Sequence, residues 1–245
     1  MIVVFAVDAL EFKKVEEFNC NNLKQDYCGK TDISEFSQPR TMVLWSSFIT
    51  GKNKEKDVLK DGNKEMWSKK WNIKETFLKN FKNPLVLDLP GYSYNLKVHE
   101  QSRKLLKAYF ETDKQEKKEQ IRKQYNKEAF DHHKKIKQEF FKALRSKKHD
   151  FVLGYFAVGD VIGHLNFGNN TLMKMIYRDF DEIAAEIKKI LPKTKLIILS
   201  DHGMEALGMF GDHNNYGFWS TNFKNLNNPK ITDFANIIIG CKDES

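Results

Sequence analysis

The sequence predicts an α/β fold: a three-layer α/β/α sandwich around a mostly parallel sheet, with a helical insertion. Three observations predict it. The apolar runs 2–7, 151–158 and 196–199 show no polar alternation, so they read as strands buried on both faces. Each run ends at or just before an acidic residue: Asp8, Asp160 and Asp201. Residues 170–191 place Leu172, Met173, Ile176, Phe180, Ile183 and Ile187 on one helical face and stop before Pro192.

The remaining elements follow in order. Residues 11–40 are polar and punctuated by Gly29 and Pro39, which reads as loops and short helix. From Thr41 to Thr50, Met42, Val43, Trp45, Phe48 and Ile49 suit a short core-facing helix stopped by Gly51. Residues 52–65 form a charged loop. Trp71 to Phe81 has helical spacing, with Ile73, Phe77, Leu78 and Phe81 on one side. Leu85 to Leu89 is a short strand ended by Pro90-Gly91, and Ala235 to Ile239 reads as a final strand. Residues 97–148 read as two or three helices, with one stripe of Leu105, Leu106, Tyr109 and Phe110 and another of Ile136, Phe140, Phe141 and Leu144. This segment is the expected insertion or flap, and its His132 and His133, with His149 beyond it, are expected at the surface.

With 245 residues, 40% apolar and 30% charged, the chain suits one sizeable catalytic domain over 1–245. No apolar stretch approaches the roughly 18–20 residues a membrane span needs. The first apolar run lacks a basic leader and ends at Asp8, so it reads as a strand and the location as cytoplasmic. Cys20, Cys28 and Cys241 form no metal motif and read as reduced thiols. The net charge of +8 is concentrated: residues 97–150 hold 17 Lys+Arg against 9 Asp+Glu. That surplus is either a solvated helical face or a wall that attracts anions. No aromatic-basic motif supports nucleic acid as a partner.

Ligands in open α/β sheets bind beyond the carboxyl ends of the strands. Here those ends deliver Asp8, Asp160 with His164, and Asp201 with His202, while His213 follows eleven residues after His202. Asp160 and His164 share one face of a helical turn. Three carboxylates and three imidazoles are enough to hold two divalent cations, zinc by donor type with manganese as the alternative. Such a centre suits a phosphate-type substrate. Thr41 is the candidate nucleophile, at a helix start where backbone N–H groups can hold a phosphoryl oxygen.

The segments VVFAVDAL, PRTMVLWSSFITGK, WNIKETFLKNFKNPLVLDLPGYSYN, FVLGYFAVGDVIGHLNFG, LIILSDHGM and GDHN occur in that order. Together they resemble the alkaline phosphatase superfamily, and within it the type I phosphodiesterase/nucleotide pyrophosphatase group. The resemblance spans residues 1–240 except 97–148. It implies an alkaline phosphatase-like fold and a metal-dependent phosphoesterase acting on a small phosphorylated substrate such as a nucleotide. It implies that Asp160, His164 and His213 hold one metal, and that Asp8, Asp201, His202 and the Thr41 oxygen meet the other. It further implies a phosphothreonine intermediate on Thr41, hydrolysed in a second step.

Val43 stands where the group usually has proline, and Asn63 is the candidate for the asparagine that assists the nucleophile. The short spacing from His202 to His213 is more like the cofactor-independent phosphoglycerate mutases. Two alternatives therefore stay open: a phosphomutase of that type and a catalytically inactive metal-binding homologue. The late position of the helical segment, after Tyr92, favours hydrolysis over transfer.

Overall fold

Strand β1 (Ile2–Val7) occupies the middle of the sheet because it is apolar on both faces. Ile2, Val4 and Ala6 face one core with Trp45, Phe48 and Phe77, while Val3, Phe5 and Val7 face the other with Phe140 and Phe180. The computed structural model describes residues 1–60, 62 and 65–243. After β1 come α1 (Phe12–Glu17), α2 (Asn21–Lys24), β2 (Tyr27–Asp32), α3 (Thr41–Thr50), α4 (Glu55–Leu59), β3 (Pro84–Leu87), α5 (Leu96–Glu111) and α6 (Gln115–Ser146). The second half holds β4 (Phe151–Phe156), α7 (Val158–Asn166), α8 (Asn170–Ile190), β5 (Lys195–Leu199), β6 (Met204–Leu207), β7 (Phe210–His213), β8 (Tyr216–Thr221) and α9 (Phe234–Asp243).

Six strands form one sheet in the order β2-β8-β5-β1-β4-β3. The run β5-β1-β4-β3 is parallel, and β8 is antiparallel to both β5 and β2. This is the expected α/β/α sandwich, with the ends of β1, β4 and β5 at one edge. Helix α3 enters that edge and is closed by Gly51, whose φ of 66° suits a residue without a Cβ. Helix α8 is capped by Asn169, whose side chain accepts the Leu172 N–H at 3.1 Å, and ends with Lys188 and Lys189 beside its carbonyl terminus.

Helices α5 and α6 carry the crossover from β3 to β4. In the second half of α6, Ile136, Phe140, Phe141 and Leu144 pack into the core beneath β1 and β4. The first half and α5 build a separate cluster of Leu105, Tyr109, Ile121 and Tyr125 against Leu165 of α7. Residues 97–148 thus contribute to a layer of the sandwich as well as to a projecting hairpin.

Five expectations are corrected. Within the expected charged loop 52–65, residues Glu55–Leu59 form helix α4, with Val58 buried. Residues 235–239 are helix, not strand: Phe234, Ala235, Ile238 and Cys241 are buried at helical spacing, which a five-residue apolar run cannot distinguish from a strand. Beyond β5 the sheet is extended by β8 and then by the edge strand β2 instead, and residues 27–32 are a strand rather than loop. Residues 71–81 form two single turns, Ile73–Glu75 and Phe77–Asn80. The Asn72–Glu75 capping box satisfies the first turn, and Thr76 is extended, so no helix propagates. Finally, His132 and His133 turn inward, as described below. Cys20, Cys28 and Cys241 form no disulfide among the described residues. Among the described residues no helix is long and apolar enough to cross a membrane.

Candidate metal centre and cleft

The strand ends and the helix and hairpin beside them bring all seven expected side chains to one place. Asp8, Asp201 and His202 gather in an inner group, and Asp160, His164 and His213 in a rim group; within each, one ligand atom per residue lies within 4.8 Å of the others. In the inner group, His202 Nε2 is 3.3 Å from Asp8 Oδ1 and 3.4 Å from Asp201 Oδ2. In the rim group, Asp160 Oδ1 is 3.1 Å from His213 Nε2 and 3.3 Å from His164 Nε2. The His202 and His213 rings stack at 3.8 Å between centroids, joining the two groups. Thr41 Oγ1 lies 3.4 Å from His202 Nε2. Thr41 is the first helical residue of α3, and Arg40 before it adds no side-chain cap.

Local structure explains each position. Asp160 and His164 project from one side of α7, one turn apart, as their spacing requires. At Gly159 an added Cβ would meet the Asp8 carbonyl at 2.9 Å, so the residue allows α7 to sit against the end of β1. Ala9, next to Asp8, has φ of 57°, a strained value for a residue with a Cβ. His213 ends the β6–β7 hairpin. Buried Glu11 holds that hairpin by accepting the Met204 N–H at 3.1 Å, the Asn214 amide at 3.3 Å and the Tyr216 hydroxyl.

The histidines show which ring nitrogen faces the site. His202 Nδ1 is 2.9 Å from the Gly203 carbonyl, His213 Nδ1 is 2.7 Å from the Pro39 carbonyl, and His164 Nδ1 is 3.3 Å from the Gly211 carbonyl. A carbonyl only accepts, so each Nδ1 carries the proton, and in the neutral ring Nε2 is a bare ligand directed at the carboxylates.

The carboxylates also fit a cation. Asp8 Oδ1 and both Asp201 oxygens are buried without a hydrogen-bond partner, which in a dry interior is costly unless positive charge compensates. Burial and then the Asp160 charge push the Asp8 carboxyl up to about 7. Burial and then Asp8 push Asp201 well above the usual carboxylate range. Burial and then His213 hold His202 down to about 3, so it stays neutral. In the rim group, burial disfavours charge on Asp160, yet His164 and His213 outweigh it and hold the carboxyl low. His164 is correspondingly raised to about 9, Asp160 outweighing the burial.

A cleft of about 240 Å³ opens over the centre, lined on one side by Asp8, Thr41, Asp160, His164 and His213. Its other wall comes from Trp67, Tyr94, Arg103, Leu106 and Tyr125. Arg103 is the lysine or arginine among these lining residues, and it stacks on Trp67 at 4.2 Å. Lys117 and Lys123 are exposed and line no part of this cleft, so the bulk of the basic surplus is a solvated face.

Sequence reasoning missed several participants. Tyr155, inside an apolar run, donates its hydroxyl to Asp8 Oδ2. Glu11 gave no motif. His132 and His133 are only 12% and 10% exposed in their side chains, against Asp88 and Asp179 respectively, because this face of α6 packs onto the sheet. His149 stays at the surface near the Asn83 carbonyl. Asn63 lies outside the described residues.

The mostly parallel sheet thus presents carboxylate–imidazole groups beside a helix-start threonine. The model of the type I phosphodiesterase/nucleotide pyrophosphatase family matches residues 3–225, and the chain belongs to that family.

No curated protein matches the chain. Similar solved structures include murine ectonucleotide pyrophosphatase/phosphodiesterase 5, at 13% identity and a TM-score of 0.46, over 83% of this chain and 57% of that one. An inactive form of the same murine protein, solved with AMP, matches at 12% identity and 0.45 over the same shares. Ps i-CgsB, solved with k-i-k-neocarrahexaose, matches at 13% identity and 0.50 over 98% of this chain and 71% of that one. The chain thus spans 57% of the length of the ectonucleotide pyrophosphatase structures.

Proposed function

We propose that this protein is a metal-dependent phosphoesterase of the phosphodiesterase/nucleotide pyrophosphatase type, acting through a phosphothreonine on Thr41. The observation that carries the reading is the position of Thr41 Oγ1, 3.4 Å from His202 Nε2 at the junction of the two ligand groups. Asp8, Asp201 and His202, with the Thr41 oxygen, would hold one cation, and Asp160, His164 and His213 the other. Bound there, zinc or manganese would acidify the threonine hydroxyl and offset charge on the phosphoryl oxygens.

The chain's own residues do the rest. The open first turn of α3 directs backbone N–H groups at a phosphoryl oxygen. Thr41 gives up its hydroxyl proton to water and its oxygen forms the new O–P bond, while the bond from phosphorus to the leaving oxygen breaks and that oxygen takes a proton from water. Water then cleaves the threonine–phosphoryl bond and restores the hydroxyl. Tyr155 holds Asp8 in place throughout, and the carbonyls of Gly203, Pro39 and Gly211 hold the three imidazoles. Arg103 faces the cleft where the anionic remainder of a small substrate such as a nucleotide would lie, and Trp67, Tyr94 and Tyr125 offer apolar surface for its organic part.

Thr41→Ala should lower hydrolysis of a chromogenic phosphodiester by on the order of 10³-fold or more, because the covalent route is lost. Acid-quenched parent should carry the substrate's phosphoryl group, with its remaining ester substituent, on Thr41. An alanine variant within tenfold of the parent, with metal content unchanged, would sink the reading.

A further inference from the structure

A second constellation of ligand-type side chains lies across the cleft wall from the site above. Asp88 follows β3 as Asp8 follows β1, buried, with φ of 60°. Its Oδ1 accepts the Asn95 N–H at 2.7 Å, which fixes the carboxylate. Its Oδ2 meets His99 Nε2 of α5 at 2.8 Å and His132 Nε2 of α6 at 2.6 Å. The imidazole planes stand 86° apart with centroids 5.1 Å from each other, so both rings present edges to one oxygen. The three ligand atoms lie within 4.8 Å of one another. His99 and His132 also line a void of about 10 Å³ with Ser102 and Tyr155, room for about one water.

We propose that Asp88, His99 and His132 form a third cation site, of the zinc class, that fastens the α5–α6 hairpin to the catalytic sheet. One carboxylate and two imidazoles are a common zinc donor set, and a water in the adjoining void would complete four-coordination. Asp88 lies just past β3, His99 on α5 and His132 on α6, so the ion ties three segments together and orders what they carry. His99 stacks on Tyr94 at 4.0 Å, and both line the catalytic cleft with Arg103. Occupancy therefore sets the cleft wall rather than the bond-making centre. Without the cation, burial pushes the Asp88 carboxyl up, but the N–H bonds it accepts from His132 and His99, and then their charges, outweigh it and hold the carboxyl down at about 2. On loading, each Nε2 gives up its proton, to its own Nδ1 in a neutral ring or to solvent from a protonated one, and binds the ion instead.

The test counts ions and does not depend on turnover. Parent protein, stripped with a chelator and refilled with zinc alone, is compared by elemental analysis with His132→Gln. The glutamine keeps an N–H donor for Asp88 but is a poor zinc ligand. The variant should bind about one equivalent less than the parent, and zinc should no longer slow amide exchange in residues 96–111. A combined Asp8→Asn, Asp160→Asn variant should retain about one equivalent and keep that zinc-dependent protection. An unchanged count in His132→Gln overturns the proposal. So does a catalytic-carboxylate variant that binds no zinc, and this second protein leaves the hairpin residues untouched should the glutamine variant fail to fold. Loss of the phosphoesterase reading alone would lower the parental count yet leave the one-equivalent difference in place.

Discussion

The inner and rim ligand groups contain the same residue types in different surroundings. Asp8, Asp201 and His202 have side-chain exposures of 3%, 0% and 0%. Asp160, His164 and His213 have 13%, 25% and 21%. The inner group has two carboxylates and one imidazole that burial keeps neutral, so no protein charge balances it. The rim group has one carboxylate and two imidazoles that it can hold protonated, so it can neutralise itself as an ion pair. The inner group is therefore built at a loss that a cation would offset, whereas the rim group is stable either way. Position in the fold causes the difference. The inner residues stand at the ends of central strands, and the rim residues stand on a helix and a hairpin facing the cleft.

The largest effect that can break this comparison comes from the inner group. Asp201→Asn should lower turnover by on the order of 10³-fold through loss of the inner cation. In chelator-treated protein the same change should raise the melting temperature, because it removes a buried, unpartnered carboxylate. A lower melting temperature in the metal-free variant would show that the inner group is not electrostatically frustrated.

Next in size is His213→Ala at the rim. It should release one ion and reduce turnover by on the order of 10²-fold, while the inner ion stays bound. Calorimetric titration with zinc checks this, and loss of both ions together would mean the two groups are one cooperative unit.

A smaller effect separates the groups by pH in metal-free protein. The folded Asp8 carboxyl is raised from 3.8 to about 7. Its contribution is therefore fully favourable below pH 3.8 and is lost as pH rises through about 7. His202, lowered from 6.5 to about 3, acts in the opposite sense between those values, so the parent's own profile partly cancels. The readable quantity is the difference between parent and Asp8→Asn melting temperatures. It should move in favour of the asparagine variant as pH rises from about 4 to about 7. A flat difference would remove Asp8 from the account.

The smallest effects concern the hairpin. Replacing Lys117, Lys118 and Lys123 with glutamate should change KM for an anionic substrate by less than about threefold at physiological salt, since exposed charges beyond the cleft are screened. Arg103→Ala should raise KM by about tenfold, the worth of one charged hydrogen bond. Steady-state kinetics that reversed this order would restore the lysine face as the substrate-attracting wall.

Much of the centre was legible because buried parallel strands write themselves as unbroken apolar runs, and such runs stop where the chain reaches the site. Asp8, Asp160 and Asp201 were marked that way, and the four-residue step to His164 follows from helical geometry. Leu85 to Leu87 carried the same signal with Asp88 behind it. Its partners at positions 99 and 132 could not be found, because helical spacing shows which residues share a face but not what that face meets. Strands β2 and β8 were illegible for a related reason: their Thr, Ser and Gly content lacks the apolar signature of a central strand. The run 235–239 carried an apolar signature that fits either a strand or a helix.

The sequence by itself determined the layer architecture, the strand-end carboxylates, the helix-start threonine and the concentration of positive charge in one segment. All of these depend on neighbours in the chain or on simple periodicity. Only the tertiary structure decided that three histidines give their Nδ1 protons to the carbonyls of Gly203, Pro39 and Gly211 and so leave Nε2 toward the carboxylates. It also decided that Asp8 and Asp201 are left without compensating charge, and that Arg103 alone of the basic surplus reaches the cleft. These are properties of distance and burial between segments far apart in the chain, and local residue preferences carry no information about them.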